Sequence, residues 1–294
     1  MRPALLVALA LAGCAGSTPS PDTGPTALRV MSFNLRVNVA SDGSNAWPYR
    51  VDAVEGILRD ADVVGVQEAV PDMLADLDAR LDGWARIGVG RQADGGGEFS
   101  AILYRTGRLD VLDAGTFWLS ETPNVPGSKS WDAAIERIVT WGRFRDRRSG
   151  DTLAVVNTHF DHVGQTAREN SARLLTERLD ELADGGPVVV MGDFNVTPDN
   201  PVYAVLTEGT GLEDGRLASS TPPEGVAATW NGFGRDPLER RIDFLFVRGL
   251  EVERFATRDE TIAGELGAAT ARYPSDHFAV EATVVKMEEA SNRR

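Results

Sequence analysis

Val190-Met191-Gly192-Asp193-Phe194-Asn195 is an apolar strand that stops at a glycine and then delivers a carboxylate and an amide two positions apart. Residues i and i+2 of a strand share a face, so Asp193 and Asn195 can look into one pocket. The acid can orient a water there and the amide can donate to a phosphoryl oxygen. The same four residues, Gly-Asp-Phe-Asn, also satisfy a plain Asx turn, so the segment alone leaves both readings open. Repetition gives it weight, because other expected strands end as abruptly in polar residues: Leu28–Asn34 at Asn34, Val63–Val66 at Gln67-Glu68, and Leu153–Asn157 at Thr158-His159. Polar groups on the tips of rigid strands hold their geometry well, as metal-assisted catalysis requires.

Short runs rich in β-branched and aromatic residues predict further strands over Ser100–Tyr104, Val188–Met191, Ile242–Val247 and Ala279–Val285. Helical periodicity marks Arg50–Arg59, Met73–Leu81 and Ala167–Leu182. No internal repeat occurs and no Pro/Gly/Ser-rich linker interrupts the chain after residue 27. Residues 28–287 therefore read as one domain, followed by a polar tail over 288–294.

The groups able to do acid–base or metal work are few. Histidine occurs three times, at 159, 162 and 277, each time close to an aspartate: Asp161 lies between His159 and His162, and Asp276 precedes His277. Each adjacency is weak by itself, since neighbours in a strand point to opposite faces. Glu68 follows a buried-looking strand and offers hard oxygens of the kind Mg²⁺ takes from one or two carboxylates. Asn34 could add an oxygen or a hydrogen bond. Asp243 sits inside the apolar run Ile242–Phe246 and needs a partner if buried; His277 is the obvious one, and the pairing would fix the imidazole tautomer and favour its charged form.

In this order, Ser32-Phe33-Asn34, Gln67-Glu68, Asn157-Thr158-His159, Gly192-Asp193-Phe194-Asn195, Ile242-Asp243 and Ser275-Asp276-His277 closely resemble the motifs of the endonuclease/exonuclease/phosphatase superfamily. The resemblance implies an α/β fold, a four-layer sandwich of two packed, mainly antiparallel β-sheets flanked by helices. It further implies that Glu68, with Asn34 and Asp276 around it, holds Mg²⁺ or Mn²⁺. Asp193 would orient the attacking water or assist the leaving oxygen, Asn195 and His159 would contact the phosphate, and Asp243 with His277 would form the polar pair opposite. The implied reaction is in-line attack of water on phosphorus. Abasic-site endonucleases carry asparagine where His159 stands, which makes that subgroup a poor match. Tyr104 falls where some members place an active-site tyrosine, with a strand-end core tyrosine as the equal alternative, and His162 is a candidate branch-specific contact. Surface ion pairing is the favoured role of Arg137, Arg168 and Arg240, with a grip on a second phosphate as the alternative. Trp118 to Trp131, with two prolines, reads as a loop over the site.

The ends and the charge bound the partners. Arg2 followed by the apolar run Ala4 to Ala12 has the form of a signal peptide, 1–13, too short to span a bilayer. Leu11-Ala12-Gly13-Cys14 resembles a lipobox, so Cys14, the sole cysteine, is the expected lipidation site and 14–27 a flexible tether. Membrane contact is then expected through the lipid anchor alone, at the periplasmic or extracellular face. The formal charge of −14 repels polyanions, and only two lysines occur. The densest basic stretch, Arg143, Arg145, Arg147 and Arg148, reads as a solvent-facing strand entering a turn. A small or lipid-linked phosphate ester is the favoured substrate and extracellular nucleic acid the alternative. A catalytically dead binding module fits poorly with an intact Glu68, Asp193 and His277, and no obligate protein partner is expected.

Overall fold

The structure is a computed structural model that describes residues 26–268 and 270–287. The expected leader 1–13, Cys14, the tether as far as residue 25 and the tail 288–294 lie outside the described residues. The elements run β1 (Leu28–Asn34), α1 (Val51–Leu58), β2 (Val63–Gln67), α2 (Pro71–Arg80), β3 (Trp84–Ile87), β4 (Ile102–Arg105), β5 (Leu109–Trp118) and β6 (Ile138–Asp146). They continue with β7 (Thr152–His159), α3 (Gln165–Ala183), β8 (Val188–Asp193), α4 (Pro201–Thr207), β9 (Glu213–Asp214), α5 (Gly215–Ala218), β10 (Asp243–Arg248), β11 (Leu250–Arg258) and β12 (Ala279–Lys286).

Two six-stranded sheets pack face to face with helices on their outer sides, the expected fold class. One has the order β11-β12-β1-β2-β4-β3 and the other β5-β6-β7-β8-β10-β9. Each is mainly antiparallel with one parallel pair, β1 with β2 and β7 with β8. Parallel neighbours need a crossover, and α1 and α3 lie in those two connections.

Strand parity generates the layers. Leu28 and Val30 of β1 enter a core shared with Val189 and Met191 of β8 and Leu245 of β10. The alternate residues Met31 and Phe33 pack outward on Val54 and Leu58 of α1 and on Leu74 of α2. In β8, Val188 and Val190 face Leu175 and Leu179 of α3. Burying each such aliphatic side chain contributes about 1.5–3 kcal/mol.

The same parity aims the polar residues. Asn34 is in step with Val30, Gln67 with Val63, Asn157 and His159 with Val155, Asp193 with Met191, and Asp243 with Leu245, all inward-facing aliphatics of their own strands. At one end of the inter-sheet layer the apolar core thus gives way to buried polar groups. The tips are in register: Asp193 pairs with His159 on one side and Asp243 on the other, and Asn34 pairs with Gln67. Hydrogen bonds bridge the sheets just beneath, from Gln67 Nε2 to Asn157 Oδ1 at 2.7 Å and from Asn157 Nδ2 to the Val66 and Ala101 carbonyls at 2.9 Å. Gly65 makes the room, since a Cβ there would lie 2.6 Å from Asn157.

The strands β3, β5, β9 and β11 and the helices α4 and α5 fall outside the sequence-based expectation, and of β6 only the arginine-bearing end was expected as a strand entering a turn. β5 and β11 each carry a register shift, at Val111/Asp113 and Val252/Arg254, and a bulge breaks the period-two pattern that identifies a strand.

Candidate active site

The strand tips open into a cavity of about 480 Å³ whose wall includes Glu68, His159, Asp193, Asn195, Asp276 and His277. Asp193 Oδ1 accepts the Asn195 backbone N–H at 2.9 Å, with Asn195 at φ 52°. The Asx turn therefore forms, and it leaves Oδ2 to accept from Asn34 Nδ2 at 3.0 Å, with His159 Nε2 at 3.4 Å and His277 Nε2 at 3.8 Å. Turn and site are one structure. Gly192 is required beneath it: at φ 150°, a Cβ would sit 2.0 Å from the Thr158 carbonyl oxygen.

His277 Nδ1 lies 2.9 Å from Asp243 Oδ2, and Thr229 Oγ1 accepts the backbone N–H groups of Ile242 and Asp243. Burial by itself would strip the proton from His277, but the charge and hydrogen bond of Asp243, aided by Asp193 and Asp276, raise its pKa to about 10. Burial, with the nearby Arg137 guanidinium, drives His159 the opposite way, well below the ordinary 6.5. Burial and the negative charge of Asp243 push Asp193 up to about 7. The site therefore holds a charged imidazole, a neutral one, and between them a carboxylate poised near neutrality.

On the other side of the cavity, Glu68 takes φ 59°. Its Oε2 accepts the Val37 N–H at 2.9 Å and its Oε1 accepts from Asn34 Nδ2 at 3.0 Å. Burial works against its charge, but the Val37 N–H and the positive His277 outweigh it and hold Glu68 below its ordinary range. Asp276 is raised by burial, and the negative Glu68 adds to the rise against the pull of His277. Two hard carboxylates in mutual repulsion at a cavity wall are the donor set a Mg²⁺- or Mn²⁺-like ion satisfies. Asp193, Asp243 and His277 also have ligand atoms within 4.8 Å of one another, but His277 Nδ1 is committed to Asp243 and a charged imidazole has no lone pair to give. The Glu68–Asp276 side is the better fit.

Of the two roles expected of Asn34, an oxygen for the metal or a hydrogen bond, the side chain takes the second. Its Oδ1 accepts the Arg36 N–H at 3.0 Å, which turns the NH₂ group toward Glu68 and Asp193. It orients the two acids as a donor. The loops carrying these groups are tied by Arg50, 1% exposed, whose guanidinium donates to the carbonyls of Leu35 at 2.6 Å, Arg36 at 2.8 Å, Asn45 at 2.6 Å and Pro274 at 2.7 Å. Ser275 Oγ adds a bond of 2.6 Å to the Asn34 carbonyl.

Arg137, His162 and Arg240 line the cavity, and Arg240 also makes the surface ion pair expected of it, with Asp236 at 3.0 Å. Arg168 does not line it; it donates to the Asp161 carbonyl and to Gln165. Tyr104 also falls away, because β4 runs antiparallel to β2 and sets Tyr104 opposite Val63, five residues from Glu68. At about 3.3 Å per residue that is the far end of the sheet, where Tyr104 packs edge-on against Phe144. Trp118 reaches back to the Arg91 carbonyl at 2.6 Å, and the cavity wall begins past the expected loop, at Ile135 and Arg137. The basic stretch pairs outward, Arg143 with Asp113 and Asp184, and Arg147 with Asp110. Residues not anticipated are Arg36, Glu98 and Trp230 on the wall, and Arg50 and Arg91 behind it. Only Arg91 and Glu98 had a sequence signal, opposite charges flanking the turn Asp94-Gly95-Gly96-Gly97.

Comparison with known proteins agrees with this geometry. The Endonuclease/Exonuclease/phosphatase family profile matches residues 31–277. An endonuclease/exonuclease/phosphatase family protein from Bacteroides thetaiotaomicron superposes with a TM-score of 0.83 at 36% identity, covering 90% of this chain and 99% of that one. A mannosyl-6-phosphatase from Bacteroides thetaiotaomicron VPI-5482 gives a TM-score of 0.82 at 36% identity, covering 88% and 99%. An uncharacterized protein of Acanthamoeba polyphaga mimivirus is 26% identical over 192 residues, 53% of this chain and 27% of that protein. The chain spans about a third or less of the length of the curated relatives it matches. With the profile running from β1 to the imidazole beside Asp243, and with related folds matched end to end, this chain belongs to the endonuclease/exonuclease/phosphatase family.

Proposed function

We propose that this protein is a divalent-metal-dependent phosphatase that releases phosphate from a small, polar phosphate ester at the bacterial cell envelope. One observation carries the reading: acids, amides and imidazoles from separate strands share one cavity of about 480 Å³, a size that suits a small ligand. The mannosyl-6-phosphatase relative at 36% identity supports a sugar phosphate in particular.

Asp193, near neutrality and fixed by Asn34 and Asn195, accepts the proton of the attacking water while the bond from phosphorus to the ester oxygen breaks on the opposite side and the departing alkoxide takes a proton from solvent; a base with a pKa close to the working pH is the effective one. His277 stays protonated and donates to a phosphoryl oxygen through Nε2. Asn195 Nδ2 gives one N–H to the Phe160 carbonyl at 3.0 Å and keeps a second for the phosphate, while neutral His159 borders the same group. A divalent ion held by Glu68 and Asp276 supplies charge neutralisation at the phosphoryl group when bound. The catalytic domain spans 28–287. The lipobox-like Leu11-Ala12-Gly13-Cys14 supports export and acylation of Cys14.

Hexose 6-phosphates, nucleotides, inositol phosphates, sphingomyelin and plasmid, each with and without a chelator, test the reading. Chelator-sensitive release of inorganic phosphate from the sugar phosphates is expected. Nicking of plasmid with no phosphate released from any monoester would replace it with the nuclease reading. For the anchor, Cys14→Ser should move the protein out of the membrane fraction, and wild-type protein already free of that fraction would refute lipidation.

A further inference from the structure

Beside the phosphate-binding tips, a second small pocket shares Glu68, Glu98, Arg137 and His159 with the main cavity. Three of its neighbours carry polarity that the proposed hydrolysis does not use. Arg137 is 5% exposed; one of its N–H groups meets His162 Nδ1 at 3.2 Å, and its buried Nε has no hydrogen-bond partner among the described residues. Asp161 Oδ2 stands 3.9 Å from that Nε, beyond hydrogen-bond range, and the Asp161 carboxylate is taken up by the backbone N–H groups of Ala134, Ile135, Val163 and Gly164. Glu98 Oε2 accepts from Arg91 at 2.7 Å while the residue borders both pockets. A buried guanidinium N–H without an acceptor is costly. That Nε is closed off toward Asp161, but the other end of the guanidinium, beside His162, lies on the cavity wall where a ligand can meet it.

The charges select the kind of ligand. Arg91 is neutralised by Glu98, and Asp161 lies behind Arg137, so the wall has paired charge and no surplus positive potential for a second phosphate or a carboxylate, which would also face Glu98. A carboxylate acceptor set beside a guanidinium and an imidazole matches hydroxyl groups, each of which both donates and accepts. We infer that Glu98, Arg137 and His162 form the subsite for the alcohol part of the ester and take the adjacent hydroxyls of a neutral polyol. This rests on the phosphatase reading for its context and names the substrate class within it. Arg137 thereby changes from a candidate phosphate grip to a reader of hydroxyl groups, and His162, a candidate branch-specific contact, gains the same role.

The test compares kcat/KM for a hexose 6-phosphate with that for p-nitrophenyl phosphate, whose alcohol part has no hydroxyl to offer. In Glu98→Gln the ratio of the two should fall by about tenfold or more, since a site built to bond a hydroxyl discriminates strongly once a partner is lost. His162→Ala, at an exposed rim position, should lower the same ratio and guards against misfolding of the Glu98 variant. A hexose bisphosphate should be a poorer substrate than the monophosphate. An unchanged ratio in both variants, or preference for the bisphosphate, overturns the inference. Saturation-transfer NMR with the free hexose reads the subsite independently of hydrolysis. Contact seen in wild type and lost in Glu98→Gln supports the subsite even if no ester is cleaved, an outcome that removes only the phosphatase reading. Absence of contact in wild type, with the esters turned over, overturns the subsite alone.

Discussion

His277 keeps its proton in a buried place because Asp243 stands 2.9 Å from Nδ1. Asp243→Asn removes that charge, so burial then lowers the imidazole into its neutral form and the donor to the phosphate is lost. We predict a fall in kcat of about 10³–10⁴-fold, the upper end being the scale of amide replacement of an acid supporting a catalytic histidine, together with an NMR titration of His277 moved down from about 10. Asp193 carries the opposite tension, raised to about 7 by burial and by Asp243. Asp193→Asn relieves that repulsion while keeping shape. Turnover should drop by at least about 10³-fold while the melting temperature holds or rises, a separation common where activity rests on a strained site; calorimetry beside a phosphate-release assay checks both. An active, destabilised variant would contradict the role.

Between elements, two residues hold the loops in place. Arg50 spans 224 residues of sequence to reach the Pro274 carbonyl; Arg50→Lys cannot reproduce the planar fork and should lower stability by about 2–4 kcal/mol, at about 1.5–3 kcal/mol per hydrogen bond from a charged group. Urea unfolding measures this. Asp161, capping the loop that enters α3, is pushed up by burial but pulled below its ordinary 3.8 by the N–H groups of Gly164, Val163, Ala134 and Ile135. A carboxylate whose folded pKa is depressed stabilises above its unfolded pKa and loses that contribution as the pH falls through the folded value. The stability gap between wild type and Asp161→Asn should therefore be full at pH 7 and narrow progressively below 3.8. A gap independent of pH would show that the charge is irrelevant. Elements also explain what was legible in the sequence. Asn34, Asp193 and Asp243 could be found because they stand at the ends of largely apolar strands whose parity aims them inward; Glu68 follows such a strand, but its positive φ and not parity turns it toward the cavity. Tyr104 was misplaced because a strand's direction within its sheet is a tertiary fact. Arg36 and Trp230 sit in irregular connections, where spacing along the chain says nothing about which groups meet; Glu98 had only its charge opposite Arg91 across a glycine-rich turn to mark it.

For the whole molecule, the formal charge of −14 sets a long-range field against polyanions, while the positive groups of the site are confined to one cavity. Long-range repulsion weakens as salt screens it, so any plasmid cleavage should be slow at low ionic strength and should not fall with added salt as it does for a basic nuclease. Binding of a divalent ion should raise the melting temperature of the folded chain by mass action. The central claim is that strand tips from two sheets build one centre for hydrolysis of a phosphate monoester, and phosphate release from a hexose 6-phosphate tests it most directly. Wild type with Mg²⁺ should release inorganic phosphate, and both chelator and Asp193→Asn should abolish the release. Equal release in the Asp193 variant, or none from any monoester in wild type with metal supplied, would contradict it.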